Sequence, residues 1–306
     1  MTNAARPVRP VHNLPSPHTA FINRTEELTA LRALLVDPTC RLLTLVGPGG
    51  IGKTRLALEA VRQLFAPVGV QPPQENPLTS FPDGLFFVNL QPIQTAELMP
   101  ATLAAAMRLT LNGQAEPLRQ LLDYLADKAL LLLLDNVEQL LPALIEPLLT
   151  ILAAAPGVKL MITSRTVLNL REEWVFPVPG LPYPQAAEQD AAAAPELYAP
   201  ADLMTYAAVR LFVEQAQRAQ RSFSLADQAA GVVRICRLVE GIPLALELAA
   251  AWTKTLSCTA IADEIARNLE FLTTPLHNMP PQHSSLRAVF DHSWSLLTPA
   301  EQRVFQ

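Results

Sequence analysis

The sequence predicts an α/β fold, a doubly wound parallel sheet of five strands, followed by a small all-helical domain. Three observations carry this expectation. A glycine-rich turn, Gly47-Pro48-Gly49-Gly50-Ile51-Gly52-Lys53-Thr54, stands between an apolar run and a helical pattern. Short apolar runs then alternate with helical stretches as far as about residue 183, the pattern of strands buried on both faces. Beyond an acidic, Ala/Pro-rich stretch at 184–202 the periodicity becomes purely helical.

Composition narrows the class. At 306 residues the chain holds two domains or three, and half of its residues are apolar. The formal net charge of −5, without an Arg/Lys-rich helix, argues against direct nucleic-acid binding by this region. No apolar run approaches the roughly 20 residues of a membrane helix, so no membrane association is expected. The N-terminus has arginines but no apolar core of a secretory signal. Cys40, Cys236 and Cys258 lie far apart without metal-ligand spacing, which fits a reducing, cytoplasmic setting. Cys236 shares a helical stripe with Val232 and Val239 and reads as core.

In chain order, residues 1–20 read as a flexible arm. Asn23 with Glu26 three residues later forms an N-cap signature for a helix carrying Leu28, Leu31 and Leu35. Leu42 to Val46 is the first strand, and Leu58, Val61 and Phe65 share a face of the helix after the glycine-rich turn. A Pro-rich loop over 66–84 precedes a strand at Leu85 to Leu90. Helical stretches follow at about 97–109 and 115–127. The run Ala129 to Leu134 ends at Asp135 and leads into a helix expected to reach Ala154. Val158 to Thr163 is a strand ending in Ser164-Arg165, and Trp174 to Val178 is an edge strand given its prolines. In the helical part, Leu203, Tyr206, Val209 and Val213 line one face. Gly241 closes a helix, and Pro243 opens the next at its first turn. Another helix covers roughly 258–271. His277 and His283 follow in a loop, and Thr298-Pro299-Ala300-Glu301 is a capping box only a few residues before the chain stops. That stop implies a chain cut inside its last domain.

Strand, glycine-rich turn and helix together make a phosphate-binding loop. Four of the eleven glycines fall between residues 47 and 52. There they let successive N–H groups point at one centre, to which the helix start adds partial positive charge. Lys53 brings a full charge to the β- and γ-phosphates, and Thr54 offers a hydroxyl to Mg²⁺. Asp135, closing an apolar strand, can hold Mg²⁺ beside Thr54; Asp135 with Glu138 also reads as a helix capping box. Glu138 is the nearby carboxylate that can polarise water, with Asn136 where many ATPases carry a second acid, so slow hydrolysis is expected. Arg165 ends the next strand, on the same sheet edge. It reads either as a γ-phosphate contact or as a surface salt bridge.

Five motifs in order resemble those of STAND signal-transduction ATPases, most of all the NB-ARC (AP-ATPase) branch and its large bacterial transcriptional regulators. They are Phe21-Ile22-Asn23-Arg24-Thr25-Glu26-Glu27-Leu28, Gly47 to Thr54, Leu131 to Glu138, Thr163-Ser164-Arg165 and Gly241-Ile242-Pro243-Leu244-Ala245-Leu246. The resemblance implies a P-loop NTPase domain over 21–183, a linker at 184–202, a helical domain over 203–275 and the start of a winged helix at 276–306. It implies that Ile22, Asn23, Arg24 and Pro243 enclose adenine and ribose. Gly47, Gly49, Gly50, Ile51, Gly52, Lys53, Thr54 and Arg55 would then line the phosphates of ATP or ADP. Thr54 and Asp135 would take Mg²⁺, and Arg165 would sense the γ-phosphate. Such proteins are switches, closed with ADP and self-oligomerising with ATP, whose effector or sensor domains would lie outside this chain. Three positions depart from the pattern: Asn23 in place of glycine, Thr25 in place of Glu, and Asn136 in place of the Asp of animal and plant members. His292 comes too early to match the winged-helix histidine that touches ADP in some members. The rival readings are a metabolic P-loop phosphotransferase or a motor ATPase; the former needs an acceptor pocket and a faster catalytic apparatus.

Overall fold

A computed structural model of the chain describes residues 11–16, 21–64, 80–113, 115–185, 199–268 and 271–273, with residues 285, 287, 291, 294 and 303. Several expectations fall outside these residues: most of the 66–84 loop, the centre of the 184–202 linker, His277, His283, His292 and the capping box at Thr298. The chain divides into two compact units. The first is Met1–Ala20, Thr25–Gly47 and Lys53–Pro177; the second is Phe21–Arg24, Pro48–Gly52 and Val178–Gln306.

The first unit contains α1 (Thr25–Val36), β1 (Leu42–Val46), α2 (Lys53–Gln63), β2 (Gly84–Asn89), α3 (Met99–Ala106), α4 (Pro117–Leu125), β3 (Leu130–Asp135), α5 (Ile145–Ala154), β4 (Val158–Ser164) and β5 (Glu173–Pro177). The strands form one parallel sheet in the order β2-β3-β4-β1-β5. This is the α/β P-loop NTPase fold, and β5 lies at the edge that its prolines predicted.

Every residue of β3 and β4 is buried, as strands covered on both faces require. Leu132, Leu134, Leu160 and Ile162 face a core shared with Leu103, Leu121, Leu125, Leu148 and Ile151 of α3, α4 and α5. Each such leucine contributes about 1.5–3 kcal/mol by leaving water. Because β1 connects across the sheet to β2, the strand order reverses direction beside β1. Loops at the carboxyl ends of strands open a crevice at such a point. The C-termini of β1, β3 and β4 therefore share one rim, which brings residues 47, 135 and 165 together from distant parts of the sequence.

Two cations, buried Lys159 and half-buried Arg41, fasten this sheet to its helices. Lys159 Nζ donates to the carbonyls of Leu34, Leu35 and Asp37 at 3.0, 2.7 and 2.7 Å, closing the C-terminal end of α1. The last turn of α1 has no basic residue of its own, so Lys159 supplies both the donors and the charge that a helix C-terminus favours. Arg41 does the same for α5, reaching Leu152 O at 2.7 Å and Ala155 O at 2.6 Å.

Some expectations change. Part of the flexible arm is paired: His12 bridges Leu85 in parallel on the free edge of β2. Asn13 exchanges two hydrogen bonds with the Phe87 main chain, at 2.6 and 2.8 Å, and Arg62 donates to Pro15 O. The helix expected from Asp135 to Ala154 is broken. A 3₁₀ turn covers Glu138–Leu140, Leu141 is extended, and α5 begins only at Ile145. Pro142 explains the break, because proline disfavours helical geometry in the residue before it. Asn23 is not an N-cap. Asn23 and Arg24 are left-handed, with φ of 54° and 76°, and α1 starts at Thr25.

The second unit is helical, with α6 (Pro200–Leu203), α7 (Ala207–Ala219), α8 (Leu225–Leu238), α9 (Pro243–Ala251) and α10 (Cys258–Arg267). The single helix expected from Leu203 to Val213 is divided between α6 and α7. Phe212, Val232, Ile235, Cys236, Leu246, Leu248 and Ile261 form its core, with Ile22 packed against it. Ser224 and Ser257 cap α8 and α10, each accepting a main-chain N–H. Burial pushes the Cys236 and Cys258 thiols up to about 12, so both act as core residues. Gly241 has a φ of +66°, and a Cβ there would stand 2.1 Å from Leu181 O. Its N–H donates to Cys236 O at 3.1 Å, the helix-closing role predicted for it.

Candidate phosphate-binding site

In the first unit, Lys53 opens α2 directly after the turn and is only 7% exposed. Its Nζ donates to Gly47 O at 2.7 Å. Burial lowers its pKa to about 8; Glu138 and Asp135 work against that shift and Arg165 adds to it. One field thus contains two cations and two carboxylates. An ammonium desolvated in this way is suited to an incoming anion.

Thr54, next on α2, donates through Oγ1 to Asp135 Oδ1 at 2.6 Å. Thr163 Oγ1 donates to the same oxygen at 2.6 Å and accepts the Asn136 N–H at 3.0 Å. Burial raises the pKa of Asp135, while the hydrogen bonds from Thr163 and Thr54 hold it down. The capping-box alternative does not hold, since Val137 occupies the N-cap of the 3₁₀ turn, with no side-chain cap bond.

Glu138 turns to Arg165 instead. Oε1 accepts from Arg165 Nε at 3.0 Å, with the side chains 6% and 13% exposed. The salt bridge weighed for Arg165 is therefore real but half-buried. The neighbouring Gln139 Nε2 donates to the carbonyls of Leu90, Gln91 and Ile93 at 2.9, 2.9 and 3.0 Å, pinning the loop after β2 beside this turn.

In the second unit, Gly50 and Gly52 have φ of +78° and +92°, conformations that glycine adopts at little cost. Buried Arg24 donates through Nη2 to Ile51 O at 2.9 Å. The Leu244 N–H donates to Gly50 O at 3.2 Å, and a Cβ on Gly52 would come 3.9 Å from the Pro243 ring. Pro243 sits in the first turn of α9, as predicted. Asn23 is exposed, Ile22 and Gly49 half-buried, and Arg55 half-buried on the first turn of α2.

Lys53, Thr54, Asp135, Glu138 and Arg165 are thus one cluster, and Arg24, Gly50, Ile51, Gly52 and Pro243 another. Sequence reasoning missed Thr163 and Gln139 as site residues. The available signal for Thr163 was a hydroxyl at the end of the strand beside the one that ends in Asp135.

The donor set suits a magnesium polyphosphate. Among the described residues no group of three His, Cys, Asp or Glu side chains is placed to hold a metal. Magnesium bound with phosphates needs only one or two protein oxygens besides water, and Thr54 with Asp135 could supply that pair.

Residues 36–166 match an AAA domain. The matched stretch spans β1 to β4 and every first-unit residue of the cluster. Proteins of Mycobacterium bovis and Mycobacterium tuberculosis, provisionally named HTH-type transcriptional regulators, are 32% identical over 277 residues, 90% of this chain and 27% of theirs. Proteins of the same species named only as uncharacterised are 30% identical over 285 residues, 93% of this chain and 63% of theirs. The chain therefore spans about a quarter of the first relatives and under two thirds of the second. Among solved structures, Cdc6p from Pyrobaculum aerophilum is similar at 14% identity with a TM-score of 0.46, over 77% of this chain and 62% of that one. Among the described residues no helix is long and apolar enough to cross a membrane.

Proposed function

We propose that this chain is the nucleotide-dependent switch of a larger regulator, binding ATP or ADP with Mg²⁺ at the 47–54 loop and hydrolysing ATP slowly. The observation that carries the proposal is the hydrogen-bonded set Thr54–Asp135–Thr163 beside Lys53. It gathers a phosphate ammonium, a metal hydroxyl and a metal carboxylate at one strand rim. Lys53, Gly50 and Gly52 would hold the phosphates, and Thr54 and Asp135 the magnesium. Bound magnesium would neutralise phosphate charge. Glu138 would be the carboxylate that orients water, and its engagement with Arg165 would keep turnover slow.

Switching follows from the loop's second attachment. Gly50 O accepts from Leu244 at the start of α9, so phosphates that reshape the 48–52 main chain also act on the helical unit. A ligand preferring one arrangement of that turn shifts the population toward it. The provisional names of the mycobacterial relatives support a role in transcription regulation, with sensor and effector functions in parts outside this chain. Membership of the NB-ARC branch of STAND ATPases, adenine recognition by Ile22, Asn23, Arg24 and Pro243, and self-association with ATP belong to the same proposal.

The test is mass spectrometry of nucleotide released from denatured, purified protein. Adenine nucleotide is expected from the wild type and lost in Lys53→Ala and in Pro243→Ala. Wild-type protein free of nucleotide and unable to bind Mg·ADP would refute the proposal.

A further inference from the structure

We infer that Glu138 sets the preference of this site between nucleoside triphosphate and diphosphate, by holding the guanidinium that a third phosphate must draw away. The inference rests on the nucleotide-binding reading above. Glu138 Oε1 takes the Arg165 Nε–H at 3.0 Å, with the carboxylate side chain 6% and the guanidinium side chain 13% exposed. The other oxygen, Oε2, is buried with no hydrogen-bond partner. A desolvated carboxylate hydrogen-bonded through one oxygen only depends heavily on the cation that makes that bond, with Lys53 adding to the field around it. The second cation in the field, Lys53, is turned onto Gly47 O. Asp135, the other carboxylate, has its Oδ1 taken by two hydroxyls.

These placements make Arg165 a shared resource. A diphosphate draws on the turned main chain, the start of α2 and Lys53, and it leaves the Glu138–Arg165 pair intact. A third phosphate adds charge and acceptor oxygens that suit a guanidinium at the end of β4. To engage it, Arg165 must weaken its bond to Glu138 and strand a buried carboxylate. That cost falls on the triphosphate alone, so the pair biases the resting site toward diphosphate. The Glu138 charge, more than its shape, is the selective element.

The experiment is calorimetric titration of the purified chain with Mg·ADP and with a non-hydrolysable Mg·ATP analogue. It compares wild type, Glu138→Gln, Arg165→Gln and the double variant. Glu138→Gln is expected to tighten the analogue relative to ADP by at least about fivefold, the lower range of coupling between sites. Arg165→Gln is expected to weaken the analogue with little change for ADP, and the double variant to match Arg165→Gln. An affinity ratio unmoved by Glu138→Gln, or moved equally with Arg165 absent, overturns the inference. If Arg165→Gln alone fails to fold because it leaves Glu138 uncompensated, the Glu138→Gln and double variants still decide the matter. Wild type that binds neither nucleotide would overturn the functional reading itself; binding of both with a fixed ratio would overturn only this step.

Discussion

Thr54 Oγ1 and Thr163 Oγ1 converge on one oxygen, Asp135 Oδ1, each at 2.6 Å. One hydroxyl comes from the helix that follows the phosphate loop and the other from the strand beside Asp135. The carboxylate is therefore oriented before any ligand arrives, and its burial is offset by two donors. A charged group with its partners already in place is the form of preorganisation that anion and metal sites use.

Replacing Thr163 by Val keeps the shape and removes the hydroxyl. Asp135 loses a donor, and the Asn136 N–H loses its acceptor. We expect a stability loss of about 1–3 kcal/mol, the range for buried polar groups left unsatisfied. The nucleotide-binding reading adds a weaker dependence on magnesium. Denaturant unfolding and Mg²⁺ titration measure the two separately.

Nucleotide affinity should fall in alkaline solution. Burial holds Lys53 at about 8, and bound phosphates would raise it. Below that pH the ammonium is present with and without ligand, so affinity is flat on this account. Above it, binding must also take up a proton, and affinity falls by up to about tenfold per pH unit. Titrations between neutral and alkaline pH would reveal the slope, and Lys53→Arg should abolish it, because arginine stays protonated.

Lys159→Met should weaken the first unit without touching the candidate site. Three carbonyls at the end of α1 would lose their donor. The expected cost is about 1–3 kcal/mol for the groups left unsatisfied, read as a lower thermal unfolding temperature. Binding of Mg·ADP by the folded variant should stay at the wild-type level.

Gly50→Ala tests the loop's attachment to the helical unit. The new Cβ would lie 2.9 Å from Leu244 Cβ, at a φ of +78°. Strain of about 1–3 kcal/mol is expected, with weaker nucleotide binding as the turn is displaced. Calorimetry and denaturant unfolding on the same protein distinguish the two effects.

Much of this architecture was legible because its signals are local. The strands are short apolar runs, and the glycine-rich turn has a strand before it and a helix after it. Asp135 could be placed because it closes an apolar run on the same sheet edge. What escaped depends on groups meeting across the fold. The Glu138–Arg165 pair joins residues 27 positions apart, and spacing alone could not separate a cap from a charge partner. Asn23 matched a capping pattern, but the main chain turns left-handed at Asn23 and Arg24 before the helix begins. The arm at 11–16 lacks periodicity, and it is ordered by pairing with the edge of β2. Pro142 was visible as a breaker and should have ended the helix expected after Asp135.

The central claim is that the loop carrying Lys53 captures an adenine nucleotide with Mg²⁺. Its most direct test is calorimetric titration of nucleotide-stripped chain with Mg·ADP, comparing wild type with Lys53→Ala. The account predicts saturable one-to-one binding by the wild type and its loss in the variant. Absence of binding in the wild type, or equal binding in both, would contradict it.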